Sequence, residues 1–263
     1  MLQAGAFVAA VGVCAFTAAG QGTLLVSDQR AEAEATYRVG STTFGSSGAQ
    51  TDNTGIDFNA IETQSFAFGG YSGRGYAQEA VMFNPSSPMI GNQFDTAVLE
   101  ACTSAEIFTS NIGAHTTETA HGLAIGIIEF SVSEPMGWSW VGAWQGWTQS
   151  TPGFYAVGGE LLLEDVNTSF AHVSQTRLSI NGSAGWQETF AYGGVLNPGV
   201  YRLLWSHESL VMGGNTPFGF YPDGEGGAPL ISCVNSTFHL FPIPAPGSMG
   251  LFAVAAAVLR RRR

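Results

Sequence analysis

The chain has no lysine, and charged residues make up only 11% of its 263 positions. Few long charged side chains are left to cover the solvent face of a helix, and almost no segment carries an apolar repeat of period 3.6. That argues against helix bundles and coiled coils. All nine cations are arginine, and four of them are the terminal Arg260, Arg261, Arg262 and Arg263. Residues 21–241 therefore hold five arginines against all twenty carboxylates, a net charge of −15. So acidic a body is unsuited to nucleic acid or an anionic membrane surface, so no nucleic-acid partner is expected, and it suits a soluble secreted protein.

Catalytic signatures are missing as well. The sequence has no Gly-x-Ser-x-Gly elbow, no Walker loop and no Cys-x-x-Cys pair. His207-Glu208 lacks the second histidine that a zincin helix needs, because Val211 occupies that position. His115, Glu118 and His121 are three apart, which puts His115 and Glu118 on opposite faces of a strand, so they read as a polar loop. Asp52, Asp57, Asn59 and Glu62, and Asp223 with Glu225, are oxygen-rich candidates for Ca²⁺, but neither group follows the twelve-residue calcium loop, and turn chemistry accounts for them. No enzyme, no metal and no other cofactor is expected. Of three cysteines, Cys14 lies in the N-terminal apolar segment; Cys102 and Cys233 are candidates for a disulfide in an oxidising compartment.

What the chain does have is thirty-five glycines and short alternating segments. Tyr37 and Val39 flank Arg38, and Phe66 and Phe68 alternate with Ser65 and Ala67. Ile128, Phe130 and Val132 alternate with Glu129, Ser131 and Ser133, the clearest half-buried strand. Leu178 and Ile180 run into Asn181-Gly182, the type I′ hairpin dipeptide, with Trp186 to Phe190 expected to return beside them. Asn197-Pro198-Gly199 turns into a strand with Tyr201, Leu203 and Trp205 on one face, and Phe238 and Leu240 belong to a last strand. Gly40 to Gly55 and Gly213 to Pro229 read as surface loops. The fold class expected is all-β: a single β-sandwich with jelly-roll-like connections over residues 21–241, plus an N-terminal signal helix and a short C-terminal apolar helix.

The two ends are the apolar exceptions. Residues 1–20 are almost wholly small or apolar, with Ala18-Ala19-Gly20 preceding Gln21, and read as a signal peptide, although no Lys or Arg precedes the apolar region. At the other end residues 242–248 form a proline-rich linker, 249–259 an uncharged run from Met249 to Leu259, and 260–263 the arginine cluster. Eleven helical residues at about 1.5 Å each cover about half of a hydrocarbon core about 30 Å thick. The run is therefore read as a short membrane anchor with Arg260, Arg261, Arg262 and Arg263 as a cytoplasmic stop.

Pro244, Ala245, Pro246 and Gly247, the apolar run and the arginines together resemble the tripartite C-terminal sorting signal called PEP-CTERM, in the Pro-Ala-Pro-Gly variant of planctomycete-like bacteria. The usual form has glutamate where Ala245 stands. The resemblance covers about twenty residues. It implies an exosortase-type processing enzyme as partner, cleavage near the Pro-x-Pro segment, transient membrane anchoring, and delivery to the cell surface or extracellular matrix. Many cargo proteins of this kind are similar in having a β-rich body and a Leu-x-Pro-Gly-x-Tyr strand start, here Leu196 to Tyr201.

One further constellation stands out in the body: Trp138, Trp140, Trp144 and Trp147, four of six tryptophans within ten residues. Exposed in a row, indole faces stack on sugar rings, so the alternative function is a carbohydrate-binding, lectin-like module with extracellular polysaccharide as partner. The competing account places the same indoles in the inter-sheet core.

Overall fold

The computed structural model describes residues 21–39, 41–53, 57–68, 71–86, 89–109, 116–146, 154–180, 186–213 and 232–243. The regular elements among them are all strands: β1 Gly22–Val39, β2 Thr42–Asp52, β3 Phe58–Phe68, β4 Tyr71–Phe83, β5 Gln93–Phe94, β6 Thr96–Thr109 and β7 Thr116–Val132. They continue with β8 Met136–Gly146, β9 Phe154–Asp165, β10 Phe170–Ile180, β11 Trp186–Leu196, β12 Gly199–Met212 and β13 Ser232–Pro242. The expected helices at 1–20 and 249–259, the sorting motif Pro244 to Gly247 and the cluster Arg260 to Arg263 lie outside the described residues.

Two antiparallel sheets pack face to face as a β-sandwich. One has the order β10-β9-β12-β7-β1-β2, with β5 also pairing β1, and the other β11-β8-β13-β6-β4-β3. Alternation decides which face each strand buries. In β7, Ile128, Phe130 and Val132 are 0%, 0% and 3% exposed, while Glu129 and Ser131 between them are half-buried on the outer face. In β12 the inward set is Tyr201, Leu203, Trp205, His207, Ser209 and Val211. The strands β6 to β13 wind as one folded ribbon. Its partners β6/β13, β7/β12, β8/β11 and β9/β10 alternate between the sheets, and β1 to β4 widen both sheets on one side.

The sandwich is thick where aromatic residues fill it and thin where alanine and glycine do. Trp140, Trp144, Trp205, Phe130 and Phe238 are all fully buried. On the β1/β4 side the inward residues are Ala31, Ala33, Ala35 and Ala77, also fully buried. There the backbones nearly touch: a Cβ on Gly122 would stand 2.0 Å from the Tyr76 carbonyl oxygen, and one on Gly75 2.2 Å from that of His121.

Three local expectations are corrected. Trp186 to Phe190 does not return beside Leu178 and Ile180, because β10 pairs β9 while β11 pairs β8 in the opposite sheet, and Asn181-Gly182 lies outside the described residues. The connection is five residues long, and β11 places Phe190 and Leu196 in the core beneath the other sheet. Residues 42–52 are not a loop: they are β2, an edge strand paired along β1 and exposed on most of its length, so it needs no apolar alternation. Pro242 belongs to the last strand, opposite Met136, rather than to the linker; a strand end tolerates the missing donor.

Candidate functional site

The tryptophan row is not a surface. Trp138, Trp140 and Trp144 do share parity on β8, but β8 lies between β11 and β13, and their shared face is the inner one. They are 3%, 0% and 0% exposed. Trp138 stacks on Phe238 at 6.2 Å and 26°, Trp140 meets Phe190 edge-on at 5.9 Å, and the Trp140 indole donates to Ser236 Oγ at 3.0 Å. The expectation of an exposed carbohydrate-binding row is therefore corrected, since these indoles have no free face for a sugar. Trp147 lies outside the described residues.

Cys102 and Cys233 are direct cross-strand partners on β6 and β13, with Cα atoms 4.1 Å apart, and their sulfurs are bonded. They sit on the outer face of their sheet, the parity opposite to inward Ala101 and Val234, and remain only 3% and 8% exposed. Of the suggested metal ligands, His115, Asp223 and Glu225 lie outside the described residues. His121 projects from the outer face and bonds Glu208 through Nε2 at 2.9 Å, which holds the Glu208 carboxyl below its usual range. His207, next to Glu208, points the other way into the core. Asp57 Oδ1 accepts the Phe83 N–H at 2.8 Å, and Glu62 is held by Gln50 and Gln64. Among the described residues no three His, Cys, Asp or Glu side chains gather as a metal site.

The sequence reading missed a polar seam inside the sandwich. Glu79 of β4, on the inward parity of Ala77 and Val81, is 0% exposed. The Gln29 carboxamide of β1, turned so that its oxygen accepts from Ser27 Oγ at 2.8 Å, donates to Glu79 Oε1 at 2.7 Å and Oε2 at 3.2 Å. Burial pushes the Glu79 carboxyl up to about 9; the Trp205 indole opposes this and the Glu100 charge adds to it. A group that titrates there is a neutral acid at pH 7.

Two residues along β12 from Trp205, His207 is also 0% exposed. Its Nδ1 is 2.9 Å from Thr103 Oγ1, which lies 2.7 Å from Ser209 Oγ, and its ring lies parallel to Trp186 at 6.5 Å. Burial pushes the imidazole down to about 4, so it too is uncharged at neutral pH. Tyr155, near the same hydroxyls, is pushed up to about 12 by burial, the Ser209 hydroxyl opposing. The seam thus combines an acid, an imidazole and hydroxyls, all neutral and all shut from solvent. Its hydrogen bonds join Ser27, Gln29 and Glu79, and Thr103, Ser209 and His207 Nδ1, between the two sheets, while His207 Nε2 is buried without a partner. A single acidic or imidazole residue at an inward parity position was its only trace in the sequence.

Charged groups are paired on the outside. Arg202 donates to Glu129 and Glu164 on the flanking strands at 2.7–3.0 Å, and Arg74 reaches both Glu106 oxygens at 2.8 and 3.1 Å. At the open side of the sandwich Arg177 of β10 forks onto Glu188 of β11, both bonds 2.9 Å, and the Tyr192 hydroxyl donates to Gln175. Comparison with protein-family models, with curated proteins and with solved structures gave no match.

Proposed function

We propose that this chain is an exported cell-surface or extracellular-matrix protein, a non-enzymatic β-sandwich passenger delivered by its C-terminal segment. The observation that carries the reading is the order of the last residues: Pro244-Ala245-Pro246-Gly247, an eleven-residue uncharged run, then Arg260 to Arg263. Linker, short anchor and cationic stop follow one another as a processing address requires. Two features of the body support it. Phe241 near the end of the final strand and Ile243 just after it are both exposed, so a protease-type partner meets an accessible approach to the linker. The bonded Cys102 and Cys233 suit an oxidising compartment.

The passenger is read as a jelly-roll module, because the ribbon pairs β6/β13, β7/β12, β8/β11 and β9/β10 alternate between two sheets. Glycan contact through Trp138, Trp140 and Trp144 is no part of the proposal, since those indoles form the core. An exosortase-type enzyme is the partner, and the anchor is transient. Intact-mass measurement of the native protein from membrane and medium fractions tests this. The expected medium form lacks Met1 to about Gly20 and everything after about Pro246; a medium form ending at Arg263 would overturn it.

A further inference from the structure

The tail leaves the body from one end of the sandwich, and the register fixes which elements share that end. Pro242, the last residue of β13, and Leu196, the last of β11, both lie opposite Met136, the first of β8. Residues 133–135 connect Met136 to Val132, the end of β7, which lies opposite Gly199, the start of β12. Asp165, the end of β9, faces both Tyr201 and Phe170, the first residue of β10. The connection from β4 to β6 closes this end: the Asn92 carbonyl accepts from the Leu24 N–H and the Asp95 carbonyl from the Leu240 N–H, both at 2.7 Å.

Exposed apolar side chains surround that exit, from Ile90 at 78% and Phe170 at 63%, through Val195, Leu25 and Phe241, to Ile243 at 41%. Phe241 and Val195 flank Gly137 in the ladder, and a Cβ on Gly137 would stand 2.1 Å from the Phe241 ring, so the two form one outer-face patch. Apolar residues are exposed at the far end too, among them Ile180 at 50%. What distinguishes the near end is the chain that leaves it. Only residues 243–248 separate β13 from the uncharged run 249–259, a reach of about 20 Å when extended.

We infer that the tail-proximal end of the sandwich docks on a zwitterionic lipid bilayer, an inference that rests on residues 249–259 acting as a membrane anchor. With the run inserted, the short linker holds this end beside the headgroups at high effective concentration. Side chains with little lipid affinity of their own are then driven into the interface, which removes from water apolar surface that neither sheet covers. Charge selects the lipid. Asp95 and Glu134 are exposed at this end and Asp57 is held there by the Phe83 N–H, whereas the nearby Arg202 guanidinium is already paired with Glu129 and Glu164. Anionic headgroups therefore oppose the contact.

The full chain in protein-free phosphatidylcholine vesicles with brominated acyl chains tests this, with Ile90→Trp as the probe and Ile180→Trp, at the far end, as its control. Both chains should float with the vesicles. Lipid quenching, read as the difference from wild type, should be several-fold greater for Ile90→Trp, and added phosphatidylglycerol should weaken it. Hydrogen exchange gives a reading that needs no substitution: in the wild type the amides of residues 89–92 should slow on vesicles, with those of 178–180 unchanged. A chain that does not float overturns the anchor and this inference with it. Flotation with no quenching at Ile90→Trp, with equal quenching at both probes, with unchanged exchange at 89–92, or with quenching that phosphatidylglycerol strengthens overturns the docking and leaves the anchor standing. An end reserved for the processing enzyme gives the first of those results, because the vesicles hold no other protein.

Discussion

Glu79 and His207 are both buried uncharged, but their protonation works on stability in opposite directions. Glu79 titrates near 9 when folded against 4.5 as its ordinary value. Between those limits the folded chain holds a proton that the unfolded chain has lost, so this contribution is full below pH 4.5 and disappears as pH rises towards 9. His207 titrates near 4 against 6.5. There the unfolded chain holds the extra proton, so its contribution is full above pH 6.5 and disappears as pH falls towards 4. The two slopes oppose each other from about pH 4.5 to 6.5, and above that only Glu79 acts. Urea midpoints should therefore be nearly level between about pH 4.5 and 6.5 and fall between pH 6.5 and 9, and Glu79→Gln should remove that fall. A wild-type midpoint flat to pH 9, or a fall that persists in the variant, contradicts the assignment. Trp140 makes the complementary residue-scale case. It is fully buried against Phe190 and Phe238 and its indole N–H reaches Ser236. Trp140→Ala should cost about 3–5 kcal/mol in chemical denaturation, a loss that a surface sugar platform would not show.

At the scale of elements, strands with bulky alternation were legible in the sequence and strands of small residues were not. Ile128, Phe130 and Val132 announced β7, and Tyr201, Leu203 and Trp205 announced β12, because large β-formers at period two have no other economical placement. Beta1 escaped notice between Ala31 and Ala35, where Ala alternates with Glu32 and Glu34; both types favour helix, and only the proximity of the facing sheet makes alanine the right size. Beta2 escaped because an edge exposed on both faces carries no alternation. The tryptophans were legible as a same-face set, whereas which face is inner depends on β8 being flanked by β11 and β13, a long-range pairing. The hidden seam was illegible for the same reason, since Gln29, Glu79 and His207 come from three strands. The small-residue side makes a prediction of its own. A Cβ on Gly122 meets the Tyr76 carbonyl at 2.0 Å, backbone that cannot step aside, whereas one on Gly199 finds its nearest neighbour at 3.6 Å. Gly122→Ala should destabilise by about 1–3 kcal/mol or more and Gly199→Ala by less than about 0.5 kcal/mol. Equal thermal midpoints for the two variants would refute the close approach of the sheets.

For the whole molecule the governing fact is where the disulfide closes the chain. Cys102 and Cys233 are 131 residues apart and join β6 to β13, so the covalent ring contains every strand from β7 to β12. Those are the inner turns of the wound ribbon, and their pairings are almost all non-local. Such a topology loses much chain entropy on folding. Closing a loop of that size removes entropy from the unfolded chain worth about 4–5 kcal/mol in the chain-entropy model. The folded state depends on the bond much less, because β13 is already held by ladders to both β6 and β8. Cys102→Ser with Cys233→Ser should therefore keep the native far-ultraviolet spectrum and lower stability by about 4–5 kcal/mol. Reductant should do the same to the wild type, but slowly, because the cysteines are 3% and 8% exposed and a thiolate reaches them only when the outer turn opens. Sub-denaturing urea should accelerate that reduction. If the double variant matches the wild type in urea midpoint, or if reduction is fast and indifferent to urea, the ring does not stabilise this fold in the way its position implies.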